Sequence, residues 1–253
     1  MILDSFRVDG KIALVTGSSA GIGAAIAIAL AEAGAHVVCH GNTRDPQATC
    51  ERITAAGRET LGVRGDLANR ETAGKLVEET VGRFGRIDIL VNNAGIIRRT
   101  PAAEFPLEEW DATIEINLSS VFLLSQLAGR RMIAQGSGKI VNIASLLSFQ
   151  GGITVPAYAA AKGGLMQLTK ALANEWAPKG VNVNAIAPGY TRTTNTLALQ
   201  QNEVRNRQIL ERIPAGRWGD PGDLSGAALY LCSPASDYVH GHVLVVDGGW
   251  MGR

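Results

Sequence analysis

The fold of this chain is decided by residues 12–23, Ile-Ala-Leu-Val-Thr-Gly-Ser-Ser-Ala-Gly-Ile-Gly. An apolar run typical of a buried strand passes through a glycine-rich turn into an Ala-rich stretch with helical character. Glycines let the backbone turn sharply, and the start of a helix offers free N–H groups and a partial positive charge to a phosphate. The segment therefore predicts a dinucleotide-binding unit with the spacing G-x-x-x-G-x-G; the alternative for the glycines alone is a tight turn without a ligand.

Short β-branched runs alternate with longer helical patterns along the rest of the chain. Continuous apolar strands separated by helices indicate a parallel sheet with helices on both faces. Because crossovers between parallel strands are right-handed, the predicted architecture is a doubly wound Rossmann-type α/β sheet. We expect residues 1–253 to form one domain, with a long helix at about 107–134 and a polar substrate lid at about 190–215.

Composition excludes several classes of protein. The 253 residues include 24 Lys and Arg against 23 Asp and Glu. This balance argues against a nucleic-acid-binding protein and offers no polybasic patch to a membrane. The three cysteines have no C-x-x-C spacing and the histidines no ligand spacing, so we expect no disulfide framework and no metal site. No stretch resembles a signal peptide or a membrane span, and we expect a cytoplasmic protein.

A candidate catalytic pair lies in the sequence Tyr158-Ala-Ala-Ala-Lys162, which places a phenol and an ammonium on one face of a predicted helix. Tyrosine titrates near pH 10, so proton transfer near neutrality needs a group that stabilises the phenolate, and a nearby cation does this. Ser145 follows the fifth predicted strand and could bind a substrate oxygen beside Tyr158. A Tyr–Lys pair alone is more often a surface pair; here Ser145 and the dinucleotide motif favour a catalytic site.

The end of the second predicted strand bears on the choice of cofactor. Dinucleotide-binding proteins often place an acidic residue there, which binds the ribose 2′-hydroxyl. This chain has Gly41, followed by Asn42 and Arg44. An acid would repel a 2′-phosphate, so its absence permits NADP, and Arg44 could pair with that phosphate; the alternative for Arg44 is a solvated loop arginine. The prediction is NAD(P)(H), with a lean to NADP.

Taken together, these motifs resemble the short-chain dehydrogenases/reductases, over essentially the whole chain. The resemblance rests on the glycine motif at 16–23, Asp66, Asn92-Asn-Ala-Gly95, Asn117, Ser145, Tyr158 with Lys162, and Pro188-Gly189. It implies seven parallel strands in the order 3-2-1-4-5-6-7 and hydride transfer between nicotinamide and a carbinol or carbonyl carbon. It also implies a homotetramer, and the apolar pair Trp250 and Met251 at a polar C-terminus is typical of a subunit contact.

The resemblance assigns roles to individual residues. Tyr158 is implied as the general acid/base, and Ser145 as the residue that orients the substrate oxygen. Lys162 would lower the pKa of Tyr158 and bind the nicotinamide ribose, and Asn117 would hold a water of the proton relay. With Asn42 and Arg44, the cofactor-binding residues are then Gly17, Ser19, Gly21, Ile22, Gly23, Asp66, Leu67, Asn93, Ala94, Gly95, Tyr158, Lys162, Pro188, Gly189 and Thr191.

Several segments, among them 92–99, 144–152 and 212–219, are more similar still to a subgroup that acts on sugar acids, the 2-dehydro-3-deoxy-D-gluconate 5-dehydrogenases, also described as 2-deoxy-D-gluconate 3-dehydrogenases. A sugar acid needs a cation for its carboxylate and polar groups for its hydroxyls. The expected substrate-binding residues are Arg98, Arg99, Ser145, Gln150 and Asn195.

Alternatives stay open for the substrate and for the arginines. The chain could be a gluconate 5-dehydrogenase, a 3-ketoacyl-type reductase, or a dinucleotide-sensing protein that does no chemistry. The alternative for Arg98 and Arg99 is a solvated loop or one paired with Glu104 or Glu108.

Overall fold

A single parallel sheet runs through the centre of the protein, in a computed structural model that describes residues 1–253. The strands are β1 (Ile12–Val15), β2 (His36–Gly41), β3 (Thr60–Arg64), β4 (Ile89–Asn92), β5 (Gly138–Ile143), β6 (Val181–Pro188) and β7 (Val243–Val246). Their order is β3-β2-β1-β4-β5-β6-β7, and every neighbouring pair is parallel. The predicted doubly wound α/β sheet of seven parallel strands is confirmed.

Helices lie on both faces of this sheet. They are α1 (Gly21–Glu32), α2 (Gln47–Ala55), α3 (Glu71–Phe84), α4 (Leu107–Ile114), α5 (Ser120–Gln135), α6 (Pro156–Trp176), α7 (Leu197–Gln201), α8 (Glu203–Arg212) and α9 (Ser225–Cys232). None of them combines the length and the hydrophobicity that a crossing of the bilayer requires.

Alternate side chains of the central strands, among them β1, β2, β4 and β5, build two separate cores. Ala13 and Val15 of β1 pack with α1 and α9 in one core, whereas Leu14 packs with α3 and α5 in the other. Strands buried on both faces read as continuous apolar runs, which is why they were recognisable in the sequence.

The long helix expected at 107–134 is interrupted. A π-helical turn, Glu115–Ser119, separates α4 from α5. Within this turn the side-chain amide of Asn117 donates hydrogen bonds to the carbonyls of Thr113, at 2.8 Å, and Ile96, at 2.9 Å. An amide that takes the carbonyl four residues earlier competes with the helical backbone bond, and π-turns of this kind often lie at functional sites.

Candidate active site

The glycine-rich turn lies at the carboxyl end of β1, beside β4, where the winding of the sheet reverses direction. Gly17 has a φ of 63° and Gly21 a φ of 57°, conformations that favour glycine. A Cβ on Gly17 would lie only 2.9 Å from the Ala94 Cα, so the turn has no room for a side chain there. Helix α1 begins at Gly21 without a side-chain cap, which leaves its first N–H groups for an anion. On the same turn Ser19 and Ile22 are half-buried and Gly23 is buried.

Asn93 and Thr16 hold this turn against the end of β4. The Asn93 side-chain amide donates to the carbonyls of Thr16 and Gly17, at 2.9 and 3.0 Å. The Thr16 hydroxyl accepts hydrogen bonds from the N–H groups of Asn93 and Ala94, at 3.0 and 3.1 Å. Ala94, and with it Gly95, is thus held beside the glycine-rich turn of residues 16–23, which we call the phosphate turn. Their place in the cofactor site stays a prediction.

On the predicted adenosine side, Asp66 and Leu67 follow β3. Asp66 is exposed, and its Oδ1 accepts a hydrogen bond from the Ala68 N–H at 2.9 Å. Leu67 is buried in the core with Val38 and Val63, so its side chain faces the core. Only the Leu67 backbone is therefore placed to meet a ligand.

Gly41 ends β2 in a position that no side chain can share. A Cβ there would lie 2.1 Å from the Arg44 carbonyl oxygen and 3.2 Å from the Pro46 ring. An acidic residue at this position would therefore require a different loop. Asn42 and Arg44 are exposed beside it, and the Arg64 guanidinium donates to the carbonyls of Asn42 and Thr43 at 3.3 to 3.4 Å. Two arginines thus flank the end of β2.

The three reactive side chains come from β5 and α6. Ser145 follows β5, and its Oγ accepts a hydrogen bond from the Leu147 N–H at 3.1 Å. Tyr158 lies in the first turn of α6 and is half-buried. Lys162 lies one turn further and is buried; its Nζ is 5.6 Å from the centre of the Tyr158 ring and donates to the Ile143 carbonyl at 2.6 Å.

Burial acts on both titrating groups of this pair. It raises the pKa of Tyr158, and the Ser145 hydroxyl and the charge of Arg99 oppose that rise. Burial also lowers the pKa of Lys162 to about 8. In this structure the charge that favours the phenolate comes from Arg99, while the Lys162 ammonium is held by a carbonyl, so the predicted effect of Lys162 on Tyr158 stays a prediction.

Asn117 presents a buried oxygen to the same site. Its side-chain nitrogen has two partners, but its Oδ1 is buried and has none. A Cβ on Gly95 would lie 2.5 Å from this Oδ1 and 3.9 Å from the Lys162 Nζ, so the two side chains meet across Gly95. A buried acceptor without a partner fits a donor from a water or a ligand, and with the side-chain-free turn at Gly17 it shows that these residues fit a dinucleotide.

Two of the predicted substrate residues are in direct contact. The Arg99 Nη2 donates to the Asn195 carbonyl at 3.2 Å, although 96 residues separate them in the chain. Arg98 is exposed, and neither arginine forms an ion pair with Glu104 or Glu108. Gln150 is half-buried, and its backbone N–H donates to the Leu146 carbonyl at 3.1 Å.

The nicotinamide side of the predicted site is formed where β6 ends at Pro188. Gly189 donates to the Val246 carbonyl at 2.9 Å, and a Cβ there would lie 2.5 Å from the Asp247 Cα. Thr191 is buried, and its hydroxyl donates to the Gly189 carbonyl at 3.2 Å. These contacts fasten the start of the segment 190–215 to the end of β7.

Segment 190–215 contains helices α7 and α8, where the sequence indicated only a polar stretch. Asn202 caps α8 by accepting the Arg205 N–H at 3.0 Å. The buried side of the segment packs Ile209 and Ile213 against Leu146, the neighbour of Ser145. Helices α7 and α8 bury few apolar side chains, so their sequences lack the regular spacing of apolar residues by which a helix is recognised.

The C-terminal aromatic residue is not exposed, as a subunit contact would require. Trp250 is 6% exposed, lies 4.6 Å from the Tyr190 ring and carries the Arg212 guanidinium over its ring at 4.1 Å. The expectation from the Trp250–Met251 pair is wrong for Trp250, because segment 190–215 supplies the aromatic and cationic partners that cover it.

Sequence reasoning missed three contributors to the site. Arg64 could have been found from the sequence, because it lies at the end of the third predicted strand, which pairs with the second so that Arg64 lies directly opposite Gly41. Thr154 has a φ of 64°, and its carbonyl accepts the Thr100 N–H at 2.9 Å, which ties the Arg99 loop to the residues before α6. His40 bonds to the phosphate turn; nothing local in the sequence marks it.

A half-buried phenol beside a serine hydroxyl, at the sheet edge that also carries a phosphate-binding turn, defines a class of protein, the dinucleotide-dependent oxidoreductases. A family model described as enoyl-(acyl carrier protein) reductase matches residues 17–251. The chain belongs to the short-chain dehydrogenase/reductase family, as its motifs indicated.

Comparison with individual proteins gives matches over nearly the full length. The chain is 52% identical to a 2-dehydro-3-deoxy-D-gluconate 5-dehydrogenase of Dickeya dadantii, over 100% of both chains. It is 52% identical to a protein of Agrobacterium tumefaciens, provisionally assigned as a 2-deoxy-D-gluconate 3-dehydrogenase and solved with NADP, with a TM-score of 0.93 and coverage of 98% and 99%. A gluconate 5-dehydrogenase of Burkholderia cenocepacia, in complex with NADP and tartrate, is 42% identical with a TM-score of 0.94 over 100% of both chains.

Proposed function

We propose that this protein transfers hydride between NADP and a secondary alcohol or ketone of a sugar acid, 2-dehydro-3-deoxy-D-gluconate or 2-deoxy-D-gluconate. The observation that carries the substrate class is the position of Arg99, whose charge acts on Tyr158 and whose guanidinium contacts the segment that carries Asn195. A guanidinium close to the general acid/base can bind a carboxylate while the hydroxyl to be oxidised faces the phenol. The names of the relatives from Dickeya and Agrobacterium support the same class.

In the proposed mechanism Ser145 donates a hydrogen bond to the substrate oxygen, keeping its own proton, and so positions the carbon that reacts. Tyr158, as phenolate, takes the proton of the substrate hydroxyl during oxidation and returns it during reduction. Lys162 and Arg99 supply positive charge that favours the phenolate, and Asn117 binds the water that exchanges protons with the site. When bound, the nicotinamide ring supplies the hydride acceptor or donor.

The preference for NADP is argued from the end of β2. Gly41 leaves no space for the acid that would bind a free 2′-hydroxyl and repel a phosphate. Arg44 and Arg64 place two guanidinium groups at this loop, which suits a 2′-phosphate. Both solved relatives named above were crystallised with NADP, in support of this choice.

A second candidate, gluconate 5-dehydrogenase activity, is favoured by the Burkholderia relative that binds tartrate, itself a hydroxylated carboxylic acid. A 3-ketoacyl-type reductase would share the catalytic residues, but its acyl thioester has no carboxylate for Arg99. A dinucleotide sensor without chemistry would have no use for Ser145, Tyr158 and Lys162 together.

The test is a set of initial rates, followed by nicotinamide absorbance, with NADP and with NAD against 2-dehydro-3-deoxy-D-gluconate, 2-deoxy-D-gluconate and D-gluconate. Turnover of a deoxy acid with NADP is the expected result. Activity on gluconate alone would move the protein to the second candidate, and activity on an acyl thioester alone would refute the sugar-acid proposal.

Segment 190–215 is proposed as a substrate lid of the single domain 1–253. The Asn195 carbonyl of this segment accepts a hydrogen bond from Arg99. The segment also reaches the phosphate turn, because a Cβ on Gly21 would lie 3.7 Å from the Thr193 methyl carbon. Limited proteolysis within α8 should slow when NADP and substrate are present; unchanged cleavage would argue against closure.

We propose further that the protein is a homotetramer and that it acts in the cytoplasm. Leu107 and Trp110 on α4 and Phe122 on α5 expose apolar side chains, which is the kind of surface that subunits cover. Light scattering at micromolar concentration should give four times the monomer mass, and a monomer peak would contradict the proposal.

A further inference from the structure

His40 lies at the carboxyl end of β2, between the phosphate turn and the end of β3, and is 2% exposed. Its Nδ1 accepts a hydrogen bond from the Gly17 N–H at 3.2 Å, and its Nε2 is 2.9 Å from the Gly65 carbonyl. A carbonyl can only accept, so Nε2 carries the proton and Nδ1 is the acceptor. Both contacts therefore require a neutral imidazole in one tautomer.

The backbone of His40 is tied to the same turn. Its carbonyl accepts the Ser18 N–H at 2.9 Å, and its N–H donates to the Ser18 Oγ at 3.0 Å. Three of the four polar groups of His40 thus hold the phosphate turn, and the fourth holds Gly65, the residue before Asp66. The ring spans the carboxyl ends of β1, β2 and β3, which together form the proposed adenosine side of the site.

We infer that His40 is a positioning residue for the cofactor, whose neutral ring holds the phosphate turn at Gly17 to the adenosine side at Gly65, so that cofactor affinity falls when the ring is protonated. This inference rests on the proposed cofactor site. His40 acts through Gly17 and Gly65.

The direction of the pH effect follows from the acceptor. An imidazolium has no lone pair, so the Gly17 N–H would then face another N–H group. Burial lowers the pKa of His40. The hydrogen bond to the Gly65 carbonyl and the negative charge of Asp66 oppose this shift, and Asp66 is the charged group that acts on the ring. The pKa of His40 in the folded protein is therefore below the ordinary pKa of histidine. The hydrogen bond from the Gly17 N–H is intact above the ordinary pKa and is lost as the pH falls through the lowered one.

Variants separate the two contacts of the ring. In His40→Asn the amide oxygen stands in for the acceptor at Nδ1, in His40→Gln the amide N–H stands in for the donor at Nε2, and His40→Leu has neither. The dissociation constant for NADP is measured by titration calorimetry with full-length protein at about pH 7.5 and about pH 5. The 2′-phosphate of NADP titrates too, but it does so equally for every variant, so the ratio between variants isolates the protein.

At neutral pH we expect His40→Gln, which loses the acceptor for the Gly17 N–H, to bind NADP about tenfold more weakly, the loss of roughly one buried hydrogen bond. His40→Leu loses both contacts and should bind more weakly still, and kcat at saturating NADP should stay within about twofold for both variants. His40→Asn keeps the acceptor for the Gly17 N–H and loses only the donor to Gly65, so at neutral pH it should bind NADP more tightly than His40→Leu, and in acid it should lose less affinity than the wild type. The matched control is His36→Asn, at the other end of β2, where Nδ1 accepts the Glu59 N–H at 3.0 Å far from the turn; neither its affinity nor its pH dependence should change.

Equal acid sensitivity of wild type and His40→Asn, or wild-type NADP affinity in His40→Gln, would overturn the inference, and neither result depends on His40→Leu folding. A wild-type protein that binds neither NADP nor NAD at neutral pH would instead refute the proposed function.

Discussion

Arg99 donates a hydrogen bond from its Nη2 to the Asn195 carbonyl at 3.2 Å, whereas no hydrogen bond or ion pair is formed by the side chain of Arg98, its neighbour. The charge of Arg99 also reaches Tyr158. Both side chains are exposed, so burial does not distinguish them. They differ in their contacts, because only the Arg99 guanidinium reaches the segment that carries Asn195. The structure thus divides a pair that the sequence treated as equivalent.

The first prediction concerns this division. Arg99→Ala should raise KM for the sugar acid at least about tenfold, because a charge-assisted bond to a carboxylate contributes roughly 1.5–3 kcal/mol. The matched variant Arg98→Ala should stay within about twofold of the wild type. Steady-state kinetics on both variants decides, and equal effects of the two substitutions would show that the sugar acid is bound elsewhere.

The second prediction concerns the general acid/base. Tyr158→Phe should lower kcat by about two to four orders of magnitude, with the dissociation constant for NADP unchanged. Because burial raises the pKa of Tyr158, the phenolate that oxidation needs is scarce at neutral pH, and the oxidation rate should increase as the pH is raised. Tyr238→Phe, at a fully exposed tyrosine, is the control. A Tyr158→Phe enzyme that kept a tenth of the wild-type kcat would contradict the assigned role.

Among the elements, the connection from β5 to α6 contains the one non-glycine residue with a positive φ. Thr154 has a φ of 64°, a conformation that a β-branched residue rarely adopts. Its carbonyl receives the Thr100 N–H at 2.9 Å, and this bond joins the Arg99 loop to the residues immediately before Tyr158. Strain of this kind persists where the surrounding structure imposes it, often next to an active site.

The third prediction follows from that conformation. Thr154→Gly should raise the free energy of unfolding by about 0.5–1 kcal/mol, because the relief of a left-handed residue, about 1–2 kcal/mol, exceeds the added freedom of the unfolded chain. The backbone bond to Thr100 is retained. Thr154→Ala keeps a Cβ in the same conformation and should gain less. Denaturant titration of the three proteins measures the difference, and a destabilised Thr154→Gly would mean that the side chain is required.

For the whole molecule, the cofactor should act as a stabiliser that discriminates between the two dinucleotides. A ligand that binds only the folded state, at a hundred times its dissociation constant, adds about 2.7 kcal/mol, which raises Tm by roughly 5–10 °C for a chain of this size. We expect NADP to raise Tm more than NAD at equal concentration, because Arg44 and Arg64 favour the 2′-phosphate. Calorimetric scans with each cofactor test this, and a larger shift with NAD would reverse the proposed preference.

The candidate catalytic pair Tyr158 and Lys162 could be singled out from the sequence because it belongs to a local pattern. The strand, turn and helix at 12–23 and the spacing of Tyr158 and Lys162 along α6 are written in consecutive residues. The π-turn at Asn117 could not be found in this way, because its cause is a side-chain bond to Ile96, 21 residues away.

The sequence by itself determined the alternation of strands and helices around the sheet and the dinucleotide-binding turn, because hydrophobic periodicity and glycine placement act over a few residues. The family and the order of the strands within the sheet came from the resemblance of its motifs. Tertiary structure alone decided that His40 meets Gly17 and Gly65, 23 and 25 residues distant, that Arg99 meets Asn195, and that Trp250 is covered. These contacts depend on the register of neighbouring strands and on the packing of the segment 190–215. Such long-range geometry exists only when the whole sheet has formed, and no stretch of the chain encodes it alone.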